Sequence, residues 1–152
     1  MSKPAIPTFR DLSREEAEAI LTRNHVGRLA YADAARVHIE PIGYVYDDGV
    51  INCRTSPGHK LDVLAHYPYV SFEVDEVEGP FSWRSVVATG TAYHADPQGS
   101  PHEREALTRA VELFRRVIPE TLTDADPTPF RNVVLRIHIA HVTGREASPG
   151  SW

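Results

Sequence analysis

The apolar positions begin with helical spacing and then change period. Ala17, Ile20 and Leu21 recur three and four residues apart behind Ser13, and Glu16 follows three residues after that hydroxyl. A hydroxyl at the N-cap with a carboxylate at the third helical position satisfies two otherwise orphaned backbone donors, so this pattern predicts an opening helix ending near Asn24 to Gly27. From Gly27 the period becomes strand-like over Leu29 to Tyr31, Val37 to Tyr46 and Val50 to Cys53, with Asp48-Gly49 as a tight turn between the last two. Leu61 to His66 reads as a short helix stopped by Pro68, Tyr69 to Asp75 as a strand, and Glu76 to Phe81 as a loop. Ser85 to Tyr93, rich in Val, Thr and Tyr, reads as another strand.

A break at Asp96 to Pro101 leads into helical spacing at Leu107, Val111, Phe114 and Ile118, so a helix is expected over His102 to Val117. Pro119 to Phe130 carries three prolines and reads as a loop. Val133, Leu135, Ile137 and Ile139 then alternate in a long closing strand that reaches Val142. About six strands with intercalated helices fit a mainly β protein, a closed or partly closed antiparallel barrel that removes exposed sheet edges. The expected organisation is an N-terminal arm over residues 1–10, one domain over 11–146 and a flexible tail over 147–152, since that tail contains Gly, Pro and Ser.

Composition narrows the function classes. A length of 152 residues suits one core. A net charge of −5 argues against a general nucleic-acid binder, so an anion site has to be local. The single Cys53 has no internal partner and sits in an apolar strand pattern, which reads as a buried thiol in a reducing compartment. Residues 1–10 lack an apolar leader core, and no run approaches the ~20 apolar residues of a membrane span, so a cytoplasmic location is expected.

The candidate chemistry concentrates in Arg54-Thr55-Ser56-Pro57-Gly58-His59-Lys60, between an expected strand and an expected helix. Such a corner aims backbone N–H groups, the first turn of a helix and cationic side chains at one small volume, which suits a phosphomonoester. Lysine occurs only at Lys3 and Lys60, so Lys60 stands out as a phosphate ligand, followed by Arg54. Thr55 and Ser56 fit either a helix cap or a ligand role. His59 fits either a phosphate donor or an exposed side chain. His138 and His141, three apart on a regular strand, are expected on opposite faces, which removes them as a metal pair. Glu73, Asp75, Glu76 and Glu78 read as a solvated strand end.

The order of these pieces resembles the pyridoxamine 5′-phosphate oxidase-like, FMN-binding split-barrel family, in particular its short nitroimidazole-resistance-type and actinobacterial members. The pieces are Val26 to Ala30, Val37-His38-Ile39-Glu40-Pro41-Ile42, Arg54-Thr55 with Gly58 to Leu61, Tyr67 to Val70, Trp83 to Val86 with Gly90, and Leu135 to Ile137 with Val142 to Arg145. The resemblance spans roughly Leu12 to Arg145. It implies a split-barrel homodimer with two flavin sites at the subunit interface. Arg54, Thr55, His59 and Lys60 would hold the FMN phosphate, Glu40, Pro41, Ile42, Trp83 and Ser85 would frame the ring, and Arg145 would close the site. Val37 stands where the family commonly has proline and His38 where it has an aromatic residue. A tryptophan common before the closing strand is absent, with Thr128 to Arg131 in its place.

The resemblance implies an FMN-dependent oxidoreductase that passes hydride or electrons from a small-molecule donor to a small oxidised acceptor such as a nitro compound or quinone. No catalytic side chain is required, because the cofactor carries the chemistry. Two alternatives share the fold. One is an F420-dependent reductase, whose longer anionic tail would call on Arg28, Arg84 and Arg145. The other is a haem- or flavin-storing protein, with His38 as the candidate iron ligand.

Overall fold

A computed structural model describes residues 5–150 of the chain. Ser13 caps helix α1 (Arg14–Arg23) as expected, its hydroxyl accepting from Glu16 N while the Glu16 carboxylate accepts from Ser13 N. Strand β1 (Thr8–Asp11) precedes it. Strands β2 (Val26–Asp33), β3 (Arg36–Asp47) and β4 (Val50–Thr55) form a meander, and Gly49 takes the positive φ that closes the β3–β4 turn. Helix α2 (His59–His66), strands β5 (Tyr69–Gly79) and β6 (Ser82–His94), helix α3 (Pro101–Val117) and strand β7 (Val133–Ser148) complete the domain.

The seven strands lie in the order β1-β7-β4-β3-β2-β5-β6, and β6 pairs back onto β7 to close a six-stranded ring. All the pairings are antiparallel. Residues Val133 to His138 of β7 pair with β4, whereas Arg145 to Ser148 pair with β1, so the barrel is split where β4 runs out. Two boundaries differ from expectation. The Glu76 to Phe81 loop is largely strand, because β5 continues to Gly79 against β6. Thr8 and Phe9 of the expected arm pair with Ser148 and Ala147 of the expected tail, as part of β1 and the end of β7, and Ala147 is buried. Residues 1–4 and 151–152, Trp152 among them, lie outside the described residues.

The barrel interior holds Leu29, Tyr44, Ile51, Cys53, Phe72, Val86, Leu135 and Ile137, joined by Ala17, Ile20 and Leu21 of α1. Tyr44 packs edge-on to Phe72 and donates its hydroxyl to Leu21 O at 2.8 Å, so the one polar tip in this cluster is satisfied. Burial pushes the Cys53 thiol up to about 12, which keeps it protonated and inert, as its strand position suggested. A second cluster forms outside the ring, where Ala110, Leu113 and Phe114 of α3 cover Val45 and Val134.

One local feature overturns a sequence expectation. Thr89 pairs with His141 and Gly90 with Ile139, so Ala140 is an extra residue on β7. A Cβ at Gly90 would sit 2.0 Å from His138 O, and only glycine permits this approach. The bulge shifts the inward phase, so that Ile139 and Val142, three apart, both pack on the core. His138 and His141 are therefore both exposed on the outer surface rather than on opposite faces. Among the described residues, no group of three or more His, Cys, Asp or Glu is placed to hold a metal.

Candidate functional site

The corner between β4 and α2 opens into a groove of roughly 460 Å³, within the usual range for a small-molecule site. Seven of the ten sequence-derived site residues line it: Glu40, Pro41 and Ile42 from β3, Arg54 and Thr55 from the end of β4, and His59 and Lys60 from the start of α2. The β3–β4 register brings these segments together by pairing Gly43 with Arg54. Gly58 is the N-cap of α2 and provides no side-chain acceptor, so neither Thr55 nor Ser56 serves as the cap. The first-turn amides of α2 thus lack a side-chain partner at the same place where cationic groups gather.

The two principal cations are held differently. Arg54 is 6% exposed. Its Nε donates to Arg131 O at 3.0 Å, and its Nη2 donates to Asp126 Oδ2 at 2.7 Å and to Thr128 O at 3.3 Å. The Asp126 side chain is fully buried and also accepts from Leu122 N and Thr128 N. Those backbone donors, followed by the Arg54 guanidinium, hold its carboxyl below the usual aspartate range. Lys60 is more open. Its Nζ donates to Thr55 Oγ1 at 2.8 Å and forms an ion pair with Glu40 Oε1. His59 is exposed, with Nε2 3.0 Å from Asp33 Oδ2. Tyr31 lines the groove and stacks on His38 with ring centroids 5.0 Å apart, and burial, with Glu40 and Asp33 nearby, raises its phenol above the ordinary value.

Trp83, Ser85 and Arg145 are not in this groove. Trp83 Nε1 donates to Pro80 O at 3.2 Å, and its ring faces Phe9 at 6.2 Å between centroids. Ser85 donates to Glu73 Oε2 at 3.0 Å and is the register partner of Arg145, which pairs with Asp11 at 3.5 Å. Within one chain these three belong to the β6–β7 seam.

Sequence reasoning missed Tyr31, Phe130 and Arg131 in the groove wall and Asp126 behind it. A signal for Asp126 existed: Asp126-Pro127-Thr128 is Asx-turn chemistry, and Thr128 N does donate to Asp126 Oδ1 at 2.9 Å. No helix among the described residues is long and apolar enough to cross a membrane.

Comparison with known proteins agrees with this architecture. A FAD-binding protein from Mesorhizobium loti superposes with a TM-score of 0.74 at 31% identity, over 92% of this chain and 99% of that one. The FAD-binding protein from Mycobacterium smegmatis gives 0.65 at 24% identity, over 91% and 98% of the two chains, a likeness of fold. An uncharacterised protein of Rhizobium meliloti is 35% identical over 97 residues, which span 62% of this chain and 64% of that protein's length. The family model described as pyridoxamine 5′-phosphate oxidase matches residues 13–146, from the α1 cap through the closing strand, and the chain belongs to that split-barrel family.

Proposed function

We propose that the protein is an FMN-dependent oxidoreductase, acting as a homodimer, that passes hydride or electrons from a small-molecule donor such as a reduced nicotinamide to a small oxidised acceptor such as a nitro compound or quinone. The observation that carries this reading is the convergence of Lys60, Thr55, His59 and the uncapped start of α2 on one groove beside Glu40–Ile42. Lys60 and Thr55 would hold the phosphate, with His59 at the exposed rim. Arg54, two of whose nitrogens are already committed, would contribute through its remaining Nη1. When bound, the flavin supplies the two-electron chemistry, so the protein's part is to bind it, orient it and limit access.

Two observations support a site shared between two chains. The outer sheet face carries Val37, Ile39 and Tyr69, with Tyr67 at the end of α2 beside them, each at least half exposed, and Ile39, Ala30, Ser71 and Thr89 lie in line across four strands. An apolar face of this kind is what a second copy would cover. Trp83, Ser85 and Arg145 lie outside the groove of their own chain, and a second copy would supply them. The Mesorhizobium loti relative favours a second reading with FAD as ligand, since the same corner can take the flavin-proximal phosphate of either cofactor.

The test is an absorption spectrum of the purified protein after incubation with FMN, FAD, F420 or haem and removal of unbound ligand by gel filtration. Retention of FMN near one per chain, lost in Lys60→Ala with unchanged circular dichroism, is the expected result. Preferential retention of FAD, F420 or haem would replace FMN by that ligand, and retention of none would remove the oxidoreductase reading. Ile39→Glu should give a monomer that no longer retains flavin.

A further inference from the structure

We propose that pairing of two copies is proton-linked: when a second copy covers the outer sheet face, the Glu73–Asp75 carboxyl pair of each chain takes up a proton, and the dimer tightens as the pH falls from neutral. The inference rests on the homodimer reading above and adds its regulation. Position carries the first half of it. Tyr69, Ser71, Glu73 and Asp75 alternate along β5 and share its outer face. On β6, Val87 is the register partner of Glu73 and Ser85 that of Asp75. The two carboxyls therefore lie between the row of Ile39, Ala30, Ser71 and Thr89 and the Ser85–Arg145 register pair. A second copy that covers that row and also takes Ser85 and Arg145 into its groove has to cover what lies between them.

Charge carries the second half. The two carboxyls share a single cation: Arg28 on β2 places Nη1 3.3 Å from Glu73 Oε1 and 3.4 Å from Asp75 Oδ2. From β6, Ser85 donates to Glu73 Oε2 at 3.0 Å. Arg145, beyond Ser85 on β7, is turned toward Asp11, and His141 lies at the β7 end of the Ser71–Thr89 row. With both carboxyls ionised, one negative charge is left over. In the single chain water absorbs it, since Glu73 and Asp75 keep 27% and 32% of their side-chain surface. Even there burial, followed by the contact with Asp75, raises the Glu73 carboxyl above its ordinary 4.5. A second copy removes the water and brings its own like-charged pair to the same self-complementary interface. A carboxyl and a carboxylate sharing one proton, with Arg28 against the remaining charge, form the neutral arrangement that a covered face can hold. The dimer thus keeps the proton to a higher pH than the free chain does, so protons are bound on association and the dissociation constant falls with pH. His141 has the opposite sign, because an imidazolium is costly to cover, so net tightening in acid identifies the carboxyl pair.

The experiment measures the dimer dissociation constant of the full-length chain by sedimentation, with and without FMN, from about pH 7.5 to about pH 5.5. Wild type, Glu73→Gln, Asp75→Asn and Arg28→Gln are compared, and thermal melts establish that each folds. Where the wild type stays dimeric at the lowest usable concentration, the same series in a Tyr69→Ala background brings dissociation into range. The wild-type constant should fall at least about tenfold across this interval. Glu73→Gln should associate at neutral pH as tightly as the wild type does in acid, with the slope lost. Asp75→Asn should flatten the slope as well, whereas Arg28→Gln, which removes the counter-charge, should steepen it. A dimer that is indifferent to pH, that weakens in acid, or whose slope survives Glu73→Gln would overturn the proton link and leave the dimer standing. A chain that is monomeric throughout would overturn the dimer reading and this proposal with it.

Discussion

The corner groove and the β6–β7 seam are both built from arginines and carboxylates, yet they use them in opposite ways. In the groove, the Arg54–Asp126 pair is withdrawn from water, and Lys60 keeps only one carboxylate and one hydroxyl as partners. Along the seam and its flank, Glu146 accepts from both Arg10 and Arg84, Arg10 also holds Glu16, Arg23 holds Glu76, and Arg28 faces Glu73 and Asp75. These are mostly half-exposed pairs that neutralise one another at the surface. The contrast shows that arginine count says little about anion binding. What matters is whether a cation retains donor capacity beside a cavity. Arg28 and Arg84, attractive in the sequence as partners for a longer anionic tail, are already engaged.

Stability should separate the two regions most sharply. Arg54→Leu leaves the buried Asp126 carboxylate without its counter-charge and frees the loop anchored through Thr128 and Arg131. It should cost on the order of 3 kcal/mol in a denaturant titration. Arg84→Leu, which removes an exposed partner of Glu146, should leave the denaturation midpoint where it is. Equal effects of the two substitutions would erase the distinction between buried and surface pairs.

Ligand affinity gives the next largest contrast. Loss of one charge-assisted contact in Lys60→Ala should weaken FMN binding at least ~10-fold with the melting curve unchanged. Arg28→Ala and Arg84→Ala, whose charges face Glu73, Asp75 and Glu146, should alter FMN affinity less than about twofold. Fluorescence quenching of the flavin reads both. A large loss in Arg84→Ala would mean that Arg84 joins Trp83, Ser85 and Arg145 among the residues a second chain supplies, and does so as part of the anion site.

The sequence disclosed these regions unequally. The capping box at Ser13 and the alternation in β7 depend on neighbours in the chain, so they were legible and led to the right elements. The corner was legible for the same reason, since Arg54 to Lys60 are contiguous and the register of β3 brings Glu40 to them. Asp126, 72 residues from Arg54, was not, because a long-range buried pair leaves no periodic mark. The phase of His138 and His141 was misread because the Ala140 bulge is set by the close approach to Gly90 across the strand pair. Trp83, Ser85 and Arg145 came from family resemblance, and within a single chain the fold keeps them away from the groove.

The smallest effect, and the one that tests the surface pairs on the flank of the seam, is their pH dependence. Glu76 accepts from both Arg23 and Asn24, and the Arg23 guanidinium foremost lowers its carboxyl to about 2 from an ordinary 4.5. A depressed carboxyl contributes stability that is complete above 4.5 and disappears as the pH falls toward 2. Glu73 behaves oppositely. Burial, with Asp75 alongside, raises its carboxyl, so its contribution is complete below 4.5 and is lost as the pH rises through the elevated value. Arg23→Ala should therefore reduce the loss of stability between pH 4.5 and pH 2, whereas Glu73→Gln should raise stability at neutral pH. Because both carboxylates stay in contact with water, each change should amount to less than about 1 kcal/mol and shrink in high salt. Denaturant titrations across this range with each variant would show the two slopes separating. If Arg23→Ala left the acid limb unaltered, the Arg23–Glu76 contact would count as surface decoration, and α1 would be held to β5 by its apolar face alone.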